Sequence, residues 1–291
     1  MARLIPLTIL ASAALPGALA WGALGHATVA YVATNFVAPE TKTYMQQLLG
    51  DTSDNYLASV ASWADTYRYT AEGKYSAPYH FIDALDDPPH SCGVDLERDC
   101  GAEGCIISAY ANYTQHLLDA SLALAQRQMA AKMVIHFTGD IGQPLHCENL
   151  DVGGNDVVVT FNGTKTNLHA AWDTSIPESI AGDGKNVLTV AKPWAAALTK
   201  DIKSGEFSAD AAGPWVSNID LEDPEATALA WAAESNAFVC TVVMPNGLDA
   251  VEKKEIGGAY TTSAKSTVSM QIAKQGYRLA KWLDAIVAEL A

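Results

Sequence analysis

From Trp21 onward, "WGALGHATVAYVATNFV" repeats apolar residues at three- and four-residue intervals, the spacing of one helix face. The stretch "ASVASWADTYRY", about 58–69, predicts a second helix. Residues 106–140 are rich in Ala, Leu, Gln and Met, and predict two long helices or one bent one, ended by Gly142 and Pro144. Helical spacing returns at "NLHAAWD", over 225–243 and over 266–289. One segment reads differently: "DVVVTF-NG-TKTN" has a β-branched run followed by Asn162-Gly163, the pair suited to a type I′ turn. No internal repeat, low-complexity tract or linker breaks the chain. The pattern predicts a mainly α fold, a single domain of packed helices with a small β-hairpin.

The start of the chain follows another rule. "MARLIPLTILASAALPGALA" has an Arg near its beginning, a short apolar run and a closing Ala18-Leu19-Ala20. These are the parts of a secretory signal peptide, too short to span a bilayer, and residues 1–20 are expected to be cleaved. Trp21 would then be the new N-terminus of one domain, 21–291, large enough to bury a full core. No later uninterrupted apolar run is long enough to cross a membrane, so the expectation is a secreted, extracellular monomer without a membrane partner.

Charge and cysteines sharpen this expectation. The formal net charge is −15; the leader holds one Arg and no acid, so its loss makes the charge −16. Such a chain repels polyanions unless positive charge is added, and metal ions are one way to add it. Five cysteines stand at 92, 100, 105, 147 and 240, an odd number for an oxidising compartment. Cys100 and Cys105 flank a Gly-rich loop and form the expected local pair. Cys92–Cys240 is the expected long-range staple, valued at roughly 4–5 kcal/mol by loop entropy. Cys147 is then left free. Asn112-Tyr-Thr and Asn162-Gly-Thr are sequons open to N-glycans if the chain is secreted.

The chemistry is concentrated in a few places. "HFTGDIGQPLH" holds His136, Asp140 and His146 within eleven residues, and "HAAWD" repeats the i, i+4 His–Asp interval with His169 and Asp173. Such pairs lie on one helix face and can share a metal. Imidazole and carboxylate donors suit zinc. One HxxxD is weak evidence, but two of them with His146 between are stronger. His26, Asp65 and His80 could complete the set. A freed amine at Trp21, with its own carbonyl, could chelate as well, which would give leader removal a chemical purpose.

At this point the sequence resembles the S1/P1 family of zinc-dependent fungal nucleases. "WGALGH", "WADTYR", "YHFIDALDDPP", "HFTGDIGQPLH", "VGGN" and "NLHAAWDT" stand in that family's order and spacing, and the similarity continues to "IAKQGYRLAKWL". The resemblance implies a fold similar to that of phospholipase C and P1 nuclease, and three Zn²⁺ ions. It places one ion on Asp65, His80 and His136, a second on Trp21 and His26, with Asp140 bridging the two. His146, His169 and Asp173 would hold the third. It also implies that Arg68 donates to phosphate, that Asp65 and Asp140 serve catalysis through the metals, and that Phe81, Asp83 and Val152 bind a base. His90 and His116 match no ligand position and are read as surface or loop residues.

The implied activity is endonuclease and 3′-nucleotidase hydrolysis of single-stranded DNA, RNA and 3′-nucleotides to 5′-phosphate products. A zinc phospholipase C shares the fold and the trinuclear site, and stays as an alternative; a non-catalytic zinc or nucleotide binder is a second. Two positions depart from the family pattern. Cys147 stands where an acidic residue is common, and Ser175 where relatives carry larger or amide side chains at a second base-binding region.

Overall fold

The computed structural model describes residues 21–207 and 212–291; the expected leader, 1–20, lies outside them. The described chain is mainly helical. Its helices are α1 (Gly22–Thr34), α2 (Pro39–Leu49), α3 (Trp63–Tyr67), α4 (Leu96–Asp99), α5 (Ile106–Leu118), α6 (Leu124–Ile141), α7 (Leu168–Ala170), α8 (Ile176–Ala181), α9 (Val187–Ser204), α10 (Ala212–Trp215), α11 (Pro224–Phe238) and α12 (Ala259–Glu289). Strands β1 (Val158–Phe161) and β2 (Thr164–Asn167) pair antiparallel. Asn162 and Gly163 join them with φ of 49° and 79°, as a type I′ turn requires.

α1 packs against α9 and α12, while α5 packs against α6 and α11. α1 is buried on almost every side from Gly22 to Ala33, which marks it as a core helix. At the centre, Tyr110 of α5, Trp231 of α11 and Trp282 of α12 stack with centroid separations of 5.4–5.9 Å. α11 with its continuation to Val243 is long and apolar enough to cross a membrane by composition. In the fold it carries Ala228, Trp231 and Ala232 into the core, and its Glu234 pairs with Lys274 and Arg278 of α12. Disulfides join Cys92 to Cys240 and Cys100 to Cys105 as expected.

Several boundaries differ from the sequence reading. The expected helix over 58–69 is helical only at Trp63–Tyr67, with turns before it. Buried Ala58, Ala61 and Ala64 give that stretch its apolar spacing without a continuous helix. The 106–140 region is two helices, α5 and α6, separated at 119–123, where Asp119 accepts from Ser121 N. α2 and α9 escape the sequence reading; α2 begins at Pro39, and α9 contains Pro193. The last helix starts at Ala259, seven residues before the expected 266. "HAAWD" departs most: three residues of α7 pass into a π-turn, Ala171–Ser175.

Candidate metal centre and base cleft

Four separate segments bring ligand-type side chains to one buried point. α6 presents His136 and Asp140 one turn apart; α1 brings His26, α3 brings Asp65, and a 3-10 turn, Lys74–His80, ends at His80. His80 Nδ1 lies 3.0 Å from Asp140 Oδ2 and 3.1 Å from His136 Nε2. His136 Nε2 is 3.2 Å from the same Asp140 oxygen and 3.5 Å from Asp65 Oδ1. Asp140 turns its other oxygen, Oδ1, to His26 Nε2 at 3.1 Å. The His26 ring stacks on His136 at 4.0 Å. Gly139 permits this approach, since a Cβ there would fall 2.7 Å from His26 Nδ1. Trp21, fully buried, opens α1 five residues before His26, and its carbonyl accepts from His26 N.

A second group stands beside the first. His146 comes from the 3-10 turn Pro144–Cys147, His169 from α7 and Asp173 from the π-turn. His146 and His169 bring their Nε2 atoms to 3.1 Å, and Asp173 Oδ2 lies 3.3 Å from His169 Nε2.

The orientation of these rings is fixed from behind. Nδ1 of His136, His146 and His169 donates to the carbonyls of Ala61, His80 and Gly153 at 2.7, 2.7 and 2.6 Å. A carbonyl only accepts, so each Nδ1 is protonated and each Nε2 is aimed inward as a ligand atom. Asp173 is oriented in turn by Gln143, whose Nε2 donates to Oδ1 at 2.7 Å. Gln143 is a functional position that sequence reasoning missed. It stood inside the "HFTGDIGQPLH" motif, but an amide is not a metal-ligand type.

The donor set fits divalent metal. Both oxygens of Asp65, Asp140 Oδ1, Asp173 Oδ2, both nitrogens of His26 and His80 Nε2 are buried without a hydrogen-bond partner. Leaving a buried polar group unmade costs about 1–3 kcal/mol, more when it is charged. Three sets, His26/Asp65/His136, His80/His136/Asp140 and His146/His169/Asp173, each gather their donor atoms within 4.8 Å. A cation in each would satisfy the carboxylate oxygens and one nitrogen of His26, while His80 faces its group with Nδ1.

The protein's own electrostatics divide the ligands. Burial pushes His80 down to about 4 and His169 down to about 3, and lowers His26 and His146 as well, so these rings are neutral ligands. Burial also opposes charge on His136, but Asp140 and Asp65 outweigh it and push that ring up to about 10. Against the same burial, the facing histidines, His136 first, hold Asp140 well below the usual carboxylate range. Asp173 goes the other way: burial raises its carboxyl. In the metal-free chain, the proton on His136 therefore occupies a place that metal would take.

The VGGN segment is a left-handed turn. Asp151, Val152, Gly153 and Gly154 have φ of 47°, 58°, 59° and 78°. For a β-branched residue this is a strained conformation, costing on the order of 1–3 kcal/mol. The turn exposes the Val152 side chain and aims the Gly153 carbonyl at His169. A Cβ at Gly153 would lie 2.7 Å from Leu145 O, so glycine is needed there. Val152 lines a small cleft with Phe81, Asp83, Glu148 and His169. Phe81 is held by its neighbours: its carbonyl accepts from Ile106 N, and Ile82 N donates to His146 O. Burial, with Asp99 nearby, raises the Asp83 carboxyl. Arg68, one turn past Asp65, sets Nη2 3.9 Å from Asp65 Oδ1.

The remaining positions lie elsewhere. His90 is exposed in the turn after Asp87, and His116 packs edge-on to Tyr113. Cys147 is the free cysteine; it is buried, its Sγ faces Ile141 O, and burial raises its thiol. Ser175 lines a separate surface cleft beside the hairpin with Phe161 and Asp183.

Comparison with known proteins agrees with this architecture. The S1/P1 nuclease family model matches residues 21–288. The chain is 48% identical to nuclease S1 of Aspergillus oryzae over 289 residues, 99% of each chain. It is 50% identical to nuclease P1 of Penicillium citrinum over 266 residues, 91% of this chain and 97% of that one. Endonuclease 4 of Arabidopsis thaliana is 31% identical over 98% of this chain and 94% of its own length. The chain belongs to the S1/P1 nuclease family and is a hydrolytic phosphodiesterase.

Proposed function

We propose that the chain is a secreted, zinc-dependent endonuclease and 3′-nucleotidase that hydrolyses single-stranded DNA and RNA to 5′-phosphate products. The observation that carries this reading is the pair of adjoining ligand groups whose buried donors lack partners and whose rings are pinned from behind. Asp65, His80 and His136 would hold one Zn²⁺, Trp21 and His26 a second, and His146, His169 and Asp173 a third, with Asp140 joining the first two. Bound there, the ions supply Lewis acidity: they activate water and neutralise charge on the phosphate and the departing 3′-oxygen.

The side chains do the rest. Asp140, with one oxygen toward His26 and the other toward His80, would contribute to both of the first two sites. Arg68 donates to the phosphate oxygens as charge builds on them. Phe81 stacks on a base, Val152 covers the base's other face, and Asp83 accepts from the base edge. Stacking is worth roughly 1–3 kcal/mol per base and is nearly indifferent to sequence. A duplex hides its base faces, so this cleft selects single strands. A nuclease is favoured over a phospholipase because the relatives that match along nearly the whole chain are named nucleases.

Residues 1–20 are proposed to be a leader whose removal frees the Trp21 amine. Secretion also suits the two disulfides. Asn112 and Asn162 are exposed, as N-glycan acceptors must be, and a monomer is the proposed state. Assays of denatured DNA, duplex DNA, RNA, a 3′-mononucleotide and phosphatidylcholine side by side test the reading. Turnover of the single strands and the 3′-nucleotide is expected; turnover of the lipid alone would reverse it.

A further inference from the structure

Beside the Phe81–Val152 cleft lies a second and larger cavity of about 550 Å³, walled in part by His146 and His169. Phe81, Asn155 and His169 line both, so the two adjoin at the His146/His169 group. The outer wall is formed by Arg68, Tyr69 and Lys74. Tyr69 is 64% exposed, one of few large rings so open, and the Arg68 guanidinium lies 5.2 Å from its centroid. Lys74 is exposed, and its backbone N–H donates to Thr70 O, closing the turn that carries it to the same cavity rim as Tyr69. The turn depends on Gly73, where a Cβ would sit 2.0 Å from Tyr67 O. Two cationic side chains and an open ring thus share one rim on a chain of net charge −15.

We infer that this outer cavity is a subsite for the nucleotide on the far side of the scissile phosphate, with Tyr69 stacking its base and Lys74 pairing with the next phosphate. The inference rests on the proposed function: if the nucleoside at Phe81 keeps the 3′-oxygen, the strand leaving across the metals is the 3′ portion. A 3′-mononucleotide fills only the Phe81 side. A longer strand fills both, so the subsite contributes to oligonucleotide affinity and nothing to mononucleotide affinity.

The test compares specificity constants for a 3′-mononucleotide and a single-stranded pentanucleotide in wild type, Tyr69→Ala, Tyr69→Phe and Lys74→Gln. The pentanucleotide-to-mononucleotide ratio should fall about tenfold in Tyr69→Ala, the scale of one lost base stack, and return in Tyr69→Phe. Lys74→Gln should lower the same ratio and flatten the salt dependence of pentanucleotide KM by a slope of about 0.7, one phosphate contact on a single strand. An unchanged ratio, or equal losses on both substrates, would overturn the subsite. A wild type inactive on the mononucleotide would instead contradict the proposed 3′-nucleotidase function; pentanucleotide KM alone would then decide, and no change in any variant would overturn the subsite.

Discussion

His26 Nε2 lies 3.1 Å from one oxygen of Asp140, while His80 Nδ1 lies 3.0 Å from the other. A single buried carboxylate therefore joins two histidine groups delivered by different segments. Replacing Asp140 by Asn keeps the shape but removes the charge that both groups face. Asp140→Asn is expected to lower turnover by two or more orders of magnitude and to reduce bound metal, read by elemental analysis. Full metal content with near-normal turnover would show that the carboxylate joins nothing.

The raised groups set the pH behaviour of metal uptake. His136, pushed up to about 10 by Asp140 and Asp65, carries a proton at pH 7 in the metal-free chain, and burial raises the Asp173 carboxyl as well. Binding must expel the His136 proton, so affinity rises with pH through the neutral range and falls in acid. Calorimetry of zinc uptake at pH 7, repeated in buffers of different ionisation enthalpy, should show release of the His136 proton. Uptake without proton release would contradict the assignment.

Val152 carries opposite demands from stability and function. Val152→Gly relieves the positive φ and should leave the fold as stable or about 1 kcal/mol more so, read by the unfolding midpoint. The same change removes one cover of the base cleft and should raise KM for nucleotides several-fold. Unchanged KM would remove Val152 from the cleft.

Phe81→Ala should weaken nucleotide binding about five- to hundredfold, the range of a lost stack, with metal content unchanged. Parallel loss of metal would mean that the ring supports His80 instead of a base.

Gln143→Ala leaves Asp173 Oδ1 without its donor. The expected result is a 10- to 100-fold weaker hold on metal at the His146/His169/Asp173 group, the usual scale for an orienting partner. Chelator titration reads this directly.

Much of this was legible before any coordinates. The paired His–Asp intervals pointed to side chains that the fold brings together, because i, i+4 spacing puts them on one face, and α6 delivers His136 and Asp140 in that way. The hairpin was legible because Asn-Gly has little alternative use between β-branched runs. What spacing did not carry was geometry set by backbone far from the motif. The carbonyls of Ala61, His80 and Gly153 that fix the imidazoles have no side-chain signature. Nor does the left-handed run 151–154 announce itself, since its strained member is a valine. α9 was missed because Pro193 argues locally against helix, and packing against α1 overrides it.

Elemental analysis of the purified, leader-free protein, with activity followed as zinc is removed and restored, tests the central claim most directly. The account predicts three zinc ions per chain, activity lost with them, and activity recovered in proportion to their return. Full hydrolytic rate with fewer than three ions, or after complete chelation, would contradict it.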